Sequence, residues 1–277
     1  MRRKPAYLFP KENDILYPLD YVEQISKIEL ALTQLNAERS LVPTPRQLEI
    51  HQIGQSTLLR DPTDPAAMYF NRVKGFGSHD IANLDAIFAH YPDSPPCFDL
   101  TPDQLTEDVA RALSDRGYIP VDQLVFLAAE RAGANWREEA SGYPIERVTE
   151  ASAEEFIHWI KLTRDSMEID GDMIARCKGY FHRPDFINYM LRIDGSPAAM
   201  GSLFLHGGAG YIANDYTFLE FRGRGCQKAL LMRRLHDAAG LGAENVYTDV
   251  VFGSASHANM EKAGFRTAFL NTFWIKK

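Results

Sequence analysis

What this 277-residue sequence lacks narrows its class before any motif is read. No apolar run approaches the roughly 20 residues that cross a bilayer, so no membrane span is expected. The opening Met1-Arg-Arg-Lys-Pro is basic but without the apolar stretch of a secretory signal. Cysteine is scarce: Cys97, Cys177 and Cys226 are scattered and odd in number. That is no disulfide framework; it fits a reducing compartment, and a cytoplasmic location is expected. Eight histidines occur without an H-E-x-x-H string or paired-cysteine spacing, so no metal site is expected. Positive charge is not in excess either. The formal net charge of −7 gives no electrostatic footprint for nucleic acid. Hydrophobic content of 45% and charged content of 24% are ordinary for a globular chain. The length allows one large or two ordinary domains.

The most informative segment present is Arg222-Gly-Arg-Gly-Cys-Gln-Lys-Ala-Leu-Leu231, between a strand-like run over 210–218 and a helix-like run over 226–239. Gly223 and Gly225 let the backbone turn sharply and approach a ligand closely. The helix that starts there points unpaired N–H groups and its positive dipole end into the loop, and Arg222 and Arg224 add full charge. Such a place suits a phosphate or pyrophosphate. It is not a dinucleotide fingerprint, because Lys228 stands where the third glycine belongs, and no P-loop string occurs.

The segment resembles the [Q/R]-x-x-G-x-[G/A] pyrophosphate loop of the GCN5-related N-acetyltransferase superfamily. Arg222 and Gly225 match it, and Gln227 replaces the usual small residue. A buried strand over 245–251 follows, then Ser254-Ala-Ser-His-Ala-Asn-Met-Glu-Lys-Ala-Gly-Phe265, similar to the superfamily's later helix with its closing Gly-Phe. Gly264 suits the left-handed residue that ends a helix. The resemblance covers about the last half of the chain and implies acetyl-CoA as co-substrate, without a metal. It implies cofactor contacts from Asp215, Tyr216 and Thr217 on the strand, from Arg222, Gly223, Arg224, Gly225, Cys226 and Gln227 in the loop, and from Asn259. Read without the resemblance, Ser254 and Asn259 are equally helix-capping residues, and Cys226 is a small residue packing the helix start.

The chain interrupts its hydrophobic pattern around 133–144 with glycine, charge and proline. We expect a first domain over 1–135, a linker over 136–144 and a second domain over 145–277. The second reads as strand 145–149, helices 153–167 and 172–180, and a hairpin turning at Asp194-Gly195. The loop, its helix, the 245–251 strand, the Asn259 helix and a closing strand over 269–275 complete it. The first repeats that order: strand 68–75, helix 81–90, strand 97–100, helix 102–115 ending at Gly117, strand 123–128. The expectation is an α/β fold with a mixed sheet, the acyltransferase fold in two tandem copies. The first copy is degenerate: its loop reads Gly75-Phe-Gly-Ser-His-Asp80, and Asp80 would repel a pyrophosphate. That half is expected to bind no acetyl-CoA and to serve as support or as a wall of the substrate cleft.

The superfamily's reaction is direct acyl transfer from the thioester to an amine. An amine of reference pKa about 10.4 must lose a proton before it attacks, which asks for a general base. Asp215 and Asp249 are the candidates, each interrupting an apolar strand near its end; His206 is weaker. The residue four before Gly264, a tyrosine in many family members, is Met260, which cannot donate a proton. Tyr216 and His257 are possible substitutes. The leading expectation is an N-acetyltransferase for a primary amine of a small or amino-acid-like molecule. The alternatives are a non-catalytic acyl-CoA-binding sensor and a protein or peptide N-acetyltransferase. The acceptor and the oligomeric state stay open.

Overall fold

The computed structural model describes residues 20–131, 136, 142–164 and 167–277. The first half contains α1 (Asp20–Glu38), β1 (Glu49–Ile53), β2 (Ser56–Arg60), β3 (Arg72–Lys74), α2 (Leu84–Ala89), β4 (Cys97–Leu100), α3 (Glu107–Ser114) and β5 (Tyr118–Glu130). The second contains β6 (Ile145–Arg147), α4 (Ala153–Leu162), α5 (Gly171–Cys177), β7 (Phe186–Ile193), β8 (Ser196–His206) and β9 (Ala209–Thr217). It continues through α6 (Cys226–Gly240), β10 (Asn245–Val251), α7 (Ala255–Lys262) and β11 (Arg266–Lys276).

Local chemistry fixes several boundaries. Asp194 and Gly195, between β7 and β8, have φ of 51° and 79°, the left-handed pair of a tight hairpin loop. Thr106, Asp170 and Ser254 accept hydrogen bonds from the backbone N–H groups of Val109, Met173 and His257, and so start α3, α5 and α7. Gly264, at φ 97°, ends α7 as its position suggests.

The strands form one mixed sheet in the order β1-β2-β3-β4-β11-β5-β10-β9-β8-β7-β6. Each half contributes one parallel pair, β3 with β4 and β9 with β10. The closing strands are exchanged. β5, from the first half, pairs with β10, and β11, from the second, pairs with β4; β5 and β11 pair with each other in the middle. Neither half therefore has a complete sheet without the other's last strand. The 136–144 segment divides the chain but not the sheet. Residues 137–141 lie outside the described residues, while Trp136 is buried in the core under α6.

Helices cover both faces. α1, α4 and α5 pack on one face through Ile25, Leu32, Phe156 and Trp159 against Phe186, Tyr211 and Tyr247. α6 and α7 cover the opposite face of the second half through Leu231, Leu235 and Met260. α2 and α3 cover the corresponding face of the first half through Ile87 and Leu113. Among the described residues no helix is long and apolar enough to cross a membrane.

The α/β mixed-sheet expectation holds, with local corrections. The strand expected over 68–75 is only Arg72–Lys74, because the Asn71 side chain holds the preceding residues in turns through the carbonyls of Asp64 and Ala67. The helix expected from 102 starts at Glu107, where Thr106 caps it. The helix expected over 172–180 ends at Cys177 and tightens into a 3-10 turn over Lys178–His182. α1 and the β1–β2 hairpin have no counterpart in the sequence reading.

Candidate active site

The site begins where β9 and β10 part. They pair only over Ala209–Tyr211 and Asn245–Tyr247, and then diverge. The Thr248 hydroxyl donates to the Ile212 carbonyl at 3.0 Å and closes the apex of the opening. On its other edge β9 pairs with β8, but the register shifts so that Asn214 and Asp215 lie opposite Gly201 alone. Asn214 takes φ 55°, left-handed backbone that asparagine tolerates. Beyond this bulge Phe218 donates to the Ala198 carbonyl at 3.0 Å. By antiparallel alternation, the Thr217 backbone then faces the opening rather than β8.

The bulge rests on a buried arginine. Arg234, from the middle of α6, is fully buried and donates to the carbonyls of Leu230, Ser202 and Ala213. Its other donors hold both carboxylate oxygens of Asp215. A Cβ on Gly201 would lie 2.7 Å from the Arg234 guanidinium, so the glycine makes room for this pair. Asp215 is thereby engaged as the partner of a buried cation, an arrangement that fits a structural carboxylate better than a base.

β9 leads through a 3-10 turn at Leu219–Phe221 into the glycine loop. Gly223 and Gly225 have φ of 76° and 80°, and neither would bring a Cβ within 4 Å of another atom, so the loop is open above. Below, it is tied down. Arg222 Nε donates to the Thr217 carbonyl at 3.3 Å, Tyr143 donates to the Arg224 carbonyl at 2.9 Å, and the Arg224 guanidinium lies over the Phe221 ring. Arg222 and Arg224 are exposed. The first turn of α6 holds no acidic residue, and among the described residues no side chain caps its leading N–H groups. Cys226 is buried, its thiol pKa raised by burial, and it faces the Phe221 carbonyl rather than the opening. Gln227 links the loop to α7, donating to the Ser256 hydroxyl at 3.2 Å and accepting from Asn259 at 2.7 Å.

The first half supplies the contrast. Its loop after β3 turns at Gly75 and enters a 3-10 helix over Ser78–Asn83. There Asp80, almost fully buried, accepts from the Gln55 N–H, the Ser56 hydroxyl and the Asn83 amide. Burial opposes its ionised form, but those donors prevail and hold its pKa below the usual carboxylate value. An anion is already built into this loop.

The opening between β9 and β10 continues into a cavity of about 530 Å³ whose walls include Asp215, Gln227, Asp249, Ser254, Met260 and Tyr69. Two further cavities adjoin it, sharing Tyr69. One, of about 270 Å³, has Glu29, Arg72 and Asp122 beside Tyr211 and Asp249. The other, of about 570 Å³, lies under the ends of α1 and α4 and takes in Tyr216. Asp249 thus stands where two cavities meet. Burial raises its pKa, Glu29 adds to the rise, and the Tyr211 hydroxyl, donating at 2.5 Å, together with Arg72 opposes it. Glu29 behaves oppositely: burial would raise its pKa, but Arg72 and Lys74 bring it down to about 2.

Of the residues singled out from the sequence, Asp215, Asp249 and Gln227 meet in one cavity, and Asn259 reaches it through Gln227. Tyr216 faces the neighbouring cavity, its ring against Phe218. His257 accepts from the Gly253 N–H and packs on Phe252, away from the opening. Tyr211, Tyr69, Asn214 and Arg234 belong to the site without standing out in the sequence as chemistry-bearing residues. Asn214 and Arg234 carried a signal, an asparagine within a strand and an arginine on the apolar stripe of a helix. Among the described residues Glu49, His51 and His90 bring three candidate metal-ligand atoms within 4.8 Å, but on the β1 side of the molecule and beside Arg60.

No protein-family model matches the chain, and no curated protein matches it in sequence. Solved structures do match in fold. A GCN5-related N-acetyltransferase from Kribbella flavida aligns with a TM-score of 0.63 at 18% identity, over 90% of this chain and 95% of that one. A tandem GNAT protein from the clavulanic acid biosynthesis pathway aligns at 0.54 and 12% identity, over 90% of this chain and 94% of that one. A GCN5-related N-acetyltransferase from Sphaerobacter thermophilus aligns at 0.50 and 14% identity, over 82% of each chain. The chain therefore has the GCN5-related N-acetyltransferase fold, similar over most of its length to a tandem member.

Proposed function

We propose that the protein is an acetyl-CoA-dependent N-acetyltransferase acting on a primary amine of a small or amino-acid-like molecule. The observation that carries this reading is the conjunction in the second half. A bulged strand lines an opening in the sheet and runs into an exposed two-glycine loop at an uncapped helix start. The loop residues fit a pyrophosphate: open glycines, outward N–H groups, two exposed arginine side chains steadied by the Thr217 carbonyl and the Phe221 ring, and, among the described residues, no carboxylate paired with either arginine. Arg222–Gln227 would hold that group, the backbone from Asp215 to Thr217 would line the pantetheine arm, and Asn259 would act by fixing Gln227. Bound acetyl-CoA supplies the thioester; the chain's own residues position it and manage the acceptor's proton.

In this reading Asp249 is the general base. Its raised pKa makes it a better proton acceptor than an exposed carboxylate, and Tyr211 orients it. Asp215 pins Arg234 and with it the bulge. Tyr216, which lines the adjoining cavity, remains the candidate acid for the departing thiolate. The first half, 1–135, holds no acetyl-CoA in this reading, because Asp80 fills its loop; it serves the catalytic half, 145–277, through the exchanged strand and by lending Tyr69 and Arg72 to the cleft. A second reading, acyl-CoA binding without turnover, is favoured by one observation: the buried Met260 stands at the cleft where a proton donor is common in this fold. Thiol release from acetyl-CoA across a panel of primary amines tests the proposal. Amine-dependent release supports it; tight acetyl-CoA binding with no release for any amine leaves the sensor reading.

A further inference from the structure

The 570 Å³ cavity under α1 and α4 carries a charge imbalance that the acetyl-transfer reading does not use. Arg39 follows α1 and reaches into this cavity half-buried. Its partners are neutral: Nε donates to Asn36 at 2.9 Å, Nη2 donates to Asn214 at 3.2 Å, and its guanidinium lies over the Phe186 ring at 4.8 Å. Every other buried or half-buried arginine among the described residues has a carboxylate within ion-pair distance. Arg39 has none. Instead Arg164, after α4, lines the same cavity with no ion pair among the described residues, close enough that its charge acts against that of Arg39. Burial, with that repulsion, pushes the Arg39 pKa down to about 10. Tyr69, the neighbour that opposes this fall, is a neutral phenol at pH 7: burial raises its pKa.

A cation taken out of water without a counter-charge is costly, and a like charge beside it adds to the cost. An anion between the two guanidinium groups would relieve both. The pyrophosphate is an unsuitable source, because the glycine loop lies outside this cavity's walls. What connects the cavity to the reaction is Asn214, Asp215 and Tyr69, which line both it and the β9–β10 opening.

We propose that the acceptor amine also bears a carboxylate, held by Arg39 and Arg164, so that the substrate class is amino acids rather than simple amines. This rests on the acetyltransferase reading. A guanidinium binds a carboxylate through two parallel hydrogen bonds, and Arg39 is already steadied by Asn36 and the Phe186 ring. Asn214 ties this grip to the bulge, and so sets the carboxylate's place relative to the opening where the amine must stand.

The test compares matched acceptors with the full chain and acetyl-CoA: leucine against isopentylamine, phenylalanine against phenethylamine, and the corresponding aminophosphonates. We expect kcat/KM to favour the carboxylated member by about 10–100-fold, mostly through KM, and the preference to collapse in Arg39→Gln and Arg164→Gln. Arg164 is exposed, so its variant keeps the test valid if Arg39→Gln folds poorly. Equal rates for both members, a preference for the phosphonate, or an unchanged preference in both variants overturns the proposal. Calorimetry on the same samples separates the two levels. Acetyl-CoA binding with no carboxylate preference refutes the amino-acid class and leaves the acetyltransferase reading standing. Absent acetyl-CoA binding refutes that reading. The amino acids alone then decide the anion site: binding lost in Arg39→Gln supports it, and no binding overturns it.

Discussion

Asp215 and Asp249 are both acidic interruptions of apolar strands, and paired amide substitutions should tell them apart. Asp215→Asn removes the counter-charge of Arg234, which is fully buried. Leaving a buried ion without its partner costs about 3–5 kcal/mol, and an asparagine that keeps one acceptor falls near the lower end. At about 2–4 °C per kcal/mol for a chain of this size, Tm should drop by roughly 6–12 °C. Asp249→Asn should do the reverse. The folded-state pKa of Asp249 lies above its ordinary value, chiefly through burial. The folded protein therefore binds this proton more tightly than the unfolded chain, and the ionised group detracts from stability once pH rises past the unfolded value. An amide removes that penalty and still accepts from Tyr211, so Tm at pH 7 should hold or rise. Turnover should fall by about 10²–10⁴-fold, and the acidic limb of the kcat/KM profile that belongs to Asp249 should vanish. Thermal melts and pH–rate profiles of both variants, with the best acceptor from the amine panel, read this out. If Asp249→Asn melts lower while turning over normally, or Asp215→Asn alone loses the acidic limb, the assignment of roles is wrong.

Three further outcomes follow from the same geometry. Glu29 has its pKa drawn from 4.5 to about 2 by Arg72 and Lys74 despite burial. The stability it contributes is full above about pH 4.5 and is lost as pH falls toward 2; it amounts to roughly 3 kcal/mol, and Glu29→Gln should flatten the acid limb of the stability curve measured by urea titration. Gly225→Val forces a β-branched residue to φ 80° at the start of α6. Acetyl-CoA affinity measured by calorimetry should fall at least about tenfold, with a stability loss of about 1–3 kcal/mol. Gly201→Ala places a methyl 2.7 Å from the Arg234 guanidinium. It should destabilise by about 1–3 kcal/mol in thermal melts and weaken acetyl-CoA binding through the displaced bulge.

The parts of this molecule legible in the sequence are those whose chemistry is local. The Asp194-Gly195 hairpin, the cap at Ser254, the stop at Gly264 and the loop at Gly223 and Gly225 each need a particular residue at a particular backbone conformation, and each is where the sequence put it. What escaped depends on distant partners. The hydrogen bond from Tyr211 to Asp249 joins residues on two strands, and the bulge at Asn214 is held by an arginine that arrives from α6. The exchange of β5 and β11 has no local signature, since either strand would read the same in its own half. α1 escaped for another reason: its apolar positions face a sheet interrupted by the charges of Arg72 and Lys74, and its stripe is broken by Glu29, which pairs with both.

The central claim is that one half of this tandem fold holds acetyl-CoA and the other does not. Calorimetric titration of the full-length protein tests it directly, with Asp80→Ala and Gly225→Val titrated alongside. The account predicts one acetyl-CoA per chain in the wild type, weakened by Gly225→Val and unchanged in number by Asp80→Ala. Two equivalents per chain, or no binding into the millimolar range, would contradict it.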